Sequence, residues 1–438
     1  MVQKNGPAQL HGQVLEASGL TVDIVGLSHS LAIGDRLGLT TRAGGVVPAE
    51  IVGFEAGVAK AMTFATCLGL GPGARVAMEW RNSTSSLAVS DGWLGRVIDP
   101  LGRPLDGKGG LPAGPQALSV RREPPPATQR GRLGPPISFG VRALDIFTTC
   151  RLGQRIGLFA GSGVGKSTLL SMLARGADCD VAVLALVGER GREVREFLED
   201  ELGAAGLARS VVVVATSDSP PLMRREAAYA AMTVAEKFCD DGKNVLLLMD
   251  SVTRFCMALR EIGLSTGEPP ATRGYPPSVF AELPRLLERA GPGEQRPGGH
   301  GSITALFTVL VEGDDQNEPV ADAVRGILDG HVVLDRRIAE LGRYPAVDVL
   351  RSLSRSAPGC NTAGQAALVK QARQVMATFA DMADMVRLGA YRAGSDPAID
   401  NALRLAPAIE ALLRQSKEEH SDLEACFAQL AKILGPFA

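Results

Sequence analysis

The segment Ala160-Gly161-Ser162-Gly163-Val164-Gly165-Lys166-Ser167 restricts the folds open to this chain more than any other feature. An apolar run, residues 156–160, precedes it, and Thr168-Leu169-Leu170 continues it with helical character. Strand, tight glycine loop and helix start, in that order, are the context in which such a loop binds phosphate. Glycines let the backbone turn several N–H groups toward one point. The helix N-terminus adds positive potential at the same place. Lys166 can then reach the β- and γ-phosphates of a nucleotide, and the Ser167 hydroxyl can hold Mg²⁺. The first position is Ala160, where the strict pattern has glycine.

A loop of this kind needs a parallel sheet around it, and the chain supplies one. Residues 181–187, 211–214, 245–249 and 303–310 are near-continuous apolar runs. Strands covered by helices on both faces read this way, so an α/β core is expected from about residue 137 to 355. Before it, short strands at 13–15, 20–25, 49–52 and 74–78 alternate with turn residues, the pattern of a small antiparallel barrel. Residues 95–107 read as a turn-rich crossover. Residues 111–136 are rich in proline and lack periodicity, as expected of an extended linker. After the core, Leu368, Ala372, Val375, Phe379, Met382 and Val386 step by three and four along one helical face. Ser421 and Glu424 fit a capping box ahead of a last helix carrying Leu423, Phe427, Leu430 and Leu434. Core packing is the favoured role for both stripes. The expected units are a barrel at 1–90, the core at 91–358 with its linker at 111–136, and a helical unit at 359–438.

Composition narrows the partners. A net charge of -2 gives no electrostatic reason to expect nucleic acid, and 4% aromatics leave few stacking platforms for single strands. The seven cysteines are scattered without a C-x-x-C pair, as for reduced thiols rather than a metal cage. No apolar run approaches the ~18 residues that span a bilayer. The first residues lack a signal-peptide core. A cytoplasmic protein is expected, with any membrane association made through partners.

Three further residues are candidates for chemistry. Asp250 ends the apolar strand 245–249, where a carboxylate beside a phosphate loop can hold a Mg²⁺ shell. Glu189 follows another such strand, with the loop and Asp250 expected as its sheet neighbours. Near a γ-phosphate it would orient an attacking water. Equally, it could be a surface carboxylate paired with Arg190 or Arg192. Arg355 lies far in sequence from the loop, where a guanidinium could neutralise a neighbouring subunit's transition state; Arg351, Arg343 and Arg337 are rivals on composition alone.

Together these pieces resemble the catalytic subunits of F-type and V-type rotary ATPases and the related type III secretion ATPases. Residues 345–354, Pro-Ala-Val-Asp-Val-Leu-Arg-Ser-Leu-Ser, match that family's pattern P-[SAP]-[LIV]-[DNH]-x-x-x-S-x-S. The likeness covers about residues 12–435. Within the family, the flagellum-specific export branch fits best. Its loop is close to residues 158–167, which makes Ala160 a branch trait. Residues 188–194, 250–255 and 312–322 also match that branch.

The resemblance implies a RecA-like phosphate-loop core between barrel and helical units, and ATP hydrolysis with Mg²⁺. It implies that residues 161–168 (Gly161, Ser162, Gly163, Val164, Gly165, Lys166, Ser167 and Thr168) bind nucleotide. Ser167 and Asp250 would hold the metal, and Glu189 would polarise water with Arg190 beside it. Arg355 would reach a neighbouring subunit's γ-phosphate. A complete site and a trans arginine in one chain imply a homo-oligomer, a hexamer by resemblance. Implied partners are stator-like and stalk-like proteins, export-gate membrane proteins, and chaperones with their substrates, at the inner-membrane base of a flagellum. An injectisome ATPase is the alternative. An RNA-dependent ring translocase and a non-hydrolysing subunit are remoter ones, opposed by charge and by Glu189. The family's N-terminal partner-binding helix has little room in the first ten residues. No ring for adenine stands in residues 356–363; Tyr391 is the nearest candidate, with packing its favoured role.

Overall fold

The computed structural model describes residues 11–77, 85–295, 300–311 and 318–435. The first ten residues, Met78 of the expected strand 74–78, and residues 312–317 of the branch match lie outside them. Strands His11–Ser18, Thr21–Val25, Arg36–Thr40, Val46–Glu55, Val58–Thr63 and Arg75–Ala77 close into a barrel. Alternation along them sends Val22, Ile24, Leu37, Leu39, Ile51 and Val76 into its interior. Closure leaves no unpaired edge.

A second, nine-stranded sheet carries the loop. Its order across the main path is Leu353–Ser354, Gly330–Leu334, Arg155–Ala160, Ser302–Leu310, Asn244–Asp250, Val181–Glu189, Ser210–Thr216 and Arg96–Ile98. The long strands all run parallel. Strand Val181–Glu189 shows why the apolar runs are continuous. Ala182, Leu184 and Leu186 pack in one core with Leu169, Leu170 and Leu173 of the loop helix. Val181, Val183, Ala185 and Val187 pack in the other, with Ala227, Ala231 and Val234 of helix Pro221–Asp240. Burying each Val or Leu there contributes about 1.5–3 kcal/mol before chain entropy opposes it.

Two local expectations are corrected. The stretch 95–107 is not only a crossover. Its Arg96–Ile98 pairs parallel with Val211–Val213 as the far edge of the main sheet. The following turn folds back, so that Asp106 grips the Arg96 guanidinium at 2.7 and 2.9 Å. Three β-branched or long residues between turn signals are too few for periodicity to flag a strand. The last helix, Leu423–Leu434, is capped by Asp422, which accepts from Ala425 N at 2.7 Å; Ser421 instead meets the Cys426 thiol.

The C-terminal helices Ala363–Arg387, Pro397–Leu413 and Leu423–Leu434 pack on one another and on helix Arg142–Phe147. Thr362 and Gln365 close a capping box at the first. Its stripe is buried at Leu368, Ala372 and Val375, half-buried at Phe379 and Met382, and exposed at Val386. Among the described residues no helix is long and apolar enough to cross a membrane.

Candidate functional site

The loop leaves the sheet at Ala160 and bends at two glycines with left-handed φ, Gly163 at 75° and Gly165 at 85°. Val164 between them is buried and pins the loop to the core. Gly165 is needed twice over: a Cβ there would also approach the Tyr344 ring to 3.2 Å. Helix Lys166–Gly176 starts immediately after, with Ser167 exposed and Thr168 half-buried in its first turn. The orphan N–H groups of that turn face a cleft of about 950 Å³. Arg190, Arg254, Arg260, Arg273 and Arg336 line it, an electropositive setting for a polyanion.

Lys166 draws the chemistry together. Its Nζ lies 2.6 Å from Asp250 Oδ1 and 3.1 Å from Glu189 Oε1. Thr308 Oγ1 donates to the same Asp250 oxygen at 2.8 Å. Burial opposes the charge on Lys166, but Asp250 and then Glu189 outweigh it and hold its pKa above the ordinary lysine value. Burial and then the Asp250 charge push Glu189 above the usual carboxylate range, against Lys166 and Arg254. Of the two readings of Glu189, the surface pair is not what the side chain makes. Arg190 pairs with Glu193 at 2.6 Å, and Arg192 with Glu196 at 3.5 Å. Arg190 lines the cleft but is largely exposed. The expected sheet neighbours of Glu189 are half right: the Asp250 strand adjoins it, while strand Ser302–Leu310 stands between that and the loop strand.

Arg355 is not brought to this cleft. Its backbone N donates to Asp329 O at 3.0 Å, at the start of strand Gly330–Leu334. The loop departs beside the other end of that strand, where Ala160 pairs with Leu334. The arginine is exposed. Its rivals are engaged or elsewhere: Arg343 is buried against Glu410, and Arg351 meets Asp335 and Asp348.

Two site residues escaped the sequence reading. Arg254 lies in the first turn of helix Val252–Ser265, which follows the Asp250 strand, and packs along Gly188, where a Cβ would meet its stem at 3.2 Å. Its Nε is buried without a hydrogen-bond partner, so it retains donor capacity for an anion. It stood inside a matched stretch, residues 250–255, but nothing in spacing aims it. Tyr344 is 44% exposed and sets its ring beside Gly165. Its position just before Pro345 of the family pattern was the available signal. Tyr391 is far from this role: its hydroxyl meets Asp396 O and Asp400 in the helical unit.

Among the described residues, no three His, Cys, Asp or Glu side chains group as a metal cage. The donors that are present, one hydroxyl and one buried carboxylate beside a phosphate site, are hard oxygens. They suit Mg²⁺, which keeps waters and takes phosphate oxygens as ligands.

Comparison with known proteins agrees along the whole chain. The family model described as ATP synthase alpha/beta family, nucleotide-binding domain, matches residues 140–354. The T3SS EscN ATPase C-terminal domain matches residues 362–432. The flagellum-specific ATP synthase of Caulobacter vibrioides is 52% identical over 99% of this chain and 98% of its own. The assembled ATPase EscN of the enteropathogenic E. coli type III secretion system superposes with a TM-score of 0.88 at 39% identity. That superposition covers 97% of this chain and 100% of the EscN chain. EscN in complex with its central stalk EscO gives 0.87 at 40% identity over the same shares.

Proposed function

The chain belongs to the ATP synthase alpha/beta family, in its branch of flagellar and type III secretion ATPases, and from that membership we propose how this ATP hydrolase works. It hydrolyses Mg-ATP in a homo-oligomeric ring, a hexamer, to power protein export through a flagellum. The contact of Lys166 with both Glu189 and Asp250 is the observation that carries the reading.

A triphosphate entering the cleft meets the N–H groups of residues 163–168 and competes with the two carboxylates for the Lys166 ammonium. Arg254 adds a donor to the terminal phosphate, and Tyr344 offers a face on which adenine stacks. Ser167 and Asp250 would hold Mg²⁺, which neutralises charge on the β- and γ-phosphates when bound. Once Lys166 turns to phosphate, Glu189 is released to accept a hydrogen bond from water and align it with the leaving oxygen. Arg355, exposed at the opposite end of the strands from the loop, serves the site of an adjacent copy.

The units follow the same division, a barrel at 1–90, the core at 91–358 and the helical unit at 359–438. By analogy with EscN and its stalk EscO, a stalk-like protein enters the ring. Chaperones with cargo, a stator-like protein and export-gate membrane proteins complete the machine, at the inner membrane. The flagellar assignment follows the Caulobacter relative; an injectisome is the second reading, and flagellar or virulence genes beside this one separate them. The catalytic reading is tested with Glu189→Gln. ATP binding is expected to persist while turnover falls about 10²–10⁴-fold. Hydrolysis at the wild-type rate removes Glu189 from its role.

A further inference from the structure

Arg355 rides on a short stretch of backbone, residues 351–355, two of whose carbonyls are held from two directions by side chains. Strand Leu353–Ser354 pairs antiparallel with Gly330–Leu334 over only two residue pairs, Gly330 with Ser354 and His331 with Leu353. Ser352 Oγ accepts from Val333 N at 3.0 Å and donates to Asp348 O at 2.6 Å, Ser354 Oγ accepts from Gln154 Nε2 at 3.0 Å, and Arg355 N donates to Asp329 O at 3.0 Å. These bonds leave the carbonyls of Arg351 and Ser352 to two other side chains, and a guanidinium that must meet a phosphate to within a fraction of an ångström depends on each of its supports. His331 Nε2 lies 3.0 Å from the carbonyl of Arg351. A carbonyl only accepts, so Nε2 carries the proton. The imidazole is itself fixed, edge-on to Phe159 of the loop strand at 6.0 Å between ring centres. On the other side, one guanidinium nitrogen of Arg373 donates to Ser352 O at 3.0 Å and to Phe147 O at 2.8 Å. Arg373 belongs to helix Ala363–Arg387 of the C-terminal unit, and its guanidinium lies over the Phe147 ring.

We propose that Arg373 and His331 are positioning residues for Arg355: by holding the carbonyls of Ser352 and Arg351 they set where the arginine presents its charge to the adjacent copy. This rests on the reading of Arg355 as a trans arginine. The consequence is a mechanical link. Displacement of the C-terminal helix moves Ser352 through a single nitrogen, and with it the arginine three residues on. His331 holds the same stretch to the strand beside the loop of its own chain, so one chain's nucleotide site and its neighbour's arginine share a support.

The test compares Arg373→Met, which keeps the stem over Phe147 but loses the donor, with Arg373→Lys, which keeps a donor. The Met variant is expected to lose about 10–100-fold in kcat with KM for ATP within about twofold, and the Lys variant to recover most of that loss. Binding of a fluorescent ATP analogue stays at the wild-type affinity. Mixed with Lys166→Ala copies, which bring an intact Arg355 and Arg373, the Met variant regains turnover, because its own loop is whole. The double variant Arg355→Ala/Arg373→Met is no slower than Arg355→Ala alone. Wild-type turnover by Arg373→Met, a loss that Lys does not relieve, or no return in mixed rings overturns the proposal. If Arg355→Ala itself turns over normally or fails to complement Lys166→Ala, the trans-arginine reading falls and the positioning role falls with it. If Arg355→Ala complements and Arg373→Met does not, only the positioning role is lost. Should Arg373→Met fail to fold, His331→Leu against His331→Gln gives the same comparison, with Gln keeping the donor.

Discussion

Glu189 is costly to keep. Its carboxylate sits in a half-buried place beside Asp250, and the environment favours its protonated form more than water does, despite Lys166. For an acid whose folded pKa is raised, the folded state binds the proton more tightly than the unfolded chain between the two values. Stability therefore drops as pH rises through that window, and the full penalty is present above the folded pKa. Glu189→Gln removes the charge but keeps an oxygen for Lys166. Without nucleotide it is expected to melt higher than the native chain at pH 8, and the difference should vanish toward pH 4. A Gln variant that melts lower at pH 8 would mean that the Lys166 pair outweighs burial and the Asp250 charge, and that the Glu189 pKa is lowered rather than raised. Such a trade of stability for chemistry is usual at active sites. At this scale the sequence points to groups placed by their neighbours in the chain, residues 161–168 and Asp250 at a strand end. It hid Tyr344 and Arg254, because a ring beside Gly165 and a stem against Gly188 are contacts between distant segments.

Between elements, the barrel is locked to the core by charge. Arg36 and Glu50 are cross-strand partners in the barrel, and both reach helix Pro221–Asp240. Arg36 meets Glu226 at 2.7 Å and Arg225 meets Glu50 at 2.7 Å, while Arg121 from the proline-rich stretch adds a contact to Glu226 at 3.5 Å. Glu226 is fully buried. Burial opposes its charge, yet Arg121, Arg225 and Arg36 together hold its carboxyl below the ordinary value. Removing one partner of such a network strands the rest. Glu226→Ala is expected to cost about 3–5 kcal/mol, read as a fall in the denaturant midpoint, and to expose the barrel–core junction to limited proteolysis. A loss under about 1 kcal/mol would show that water replaces the carboxylate easily. Met62, Phe64, Leu222 and Met223 add a small apolar patch at the same junction. The elements themselves were readable: period-two strands for the barrel, unbroken apolar runs for the sheet, a three–four stripe for the long helix. Their docking was not, since Arg36, Glu50 and Glu226 look like ordinary surface charges until the fold stacks them.

At the level of the whole molecule, the separation of Arg355 from the loop is the fact with most reach. Lys166, Glu189 and Asp250 gather at one end of the parallel strands, and Arg355 sits at the other end of the neighbouring edge, exposed. In the proposed trans role one surface offers an arginine and a different surface accepts it, a head-to-tail contact of the kind that makes a ring when its rotation closes. The α/β class and the succession of short strands, apolar runs and helical stripes are legible from patterning together with the phosphate loop, but this complementarity is not, because it depends on which sheet edge residues 353–354 join. The kinetics should betray it. With Arg355 in the trans role proposed above, an isolated copy retains the loop, Lys166 and Glu189 but lacks the opposing guanidinium, a group that in phosphoryl transfer contributes about 10³–10⁵ in rate. Specific activity is therefore expected to climb steeply with protein concentration and to level off once rings are complete. Adding Arg355→Ala copies at fixed total protein should lower it, since each one silences a neighbour's site while its own remains competent. Turnover per chain that is flat across the range where light scattering shows single copies becoming rings would place every catalytic group within one chain.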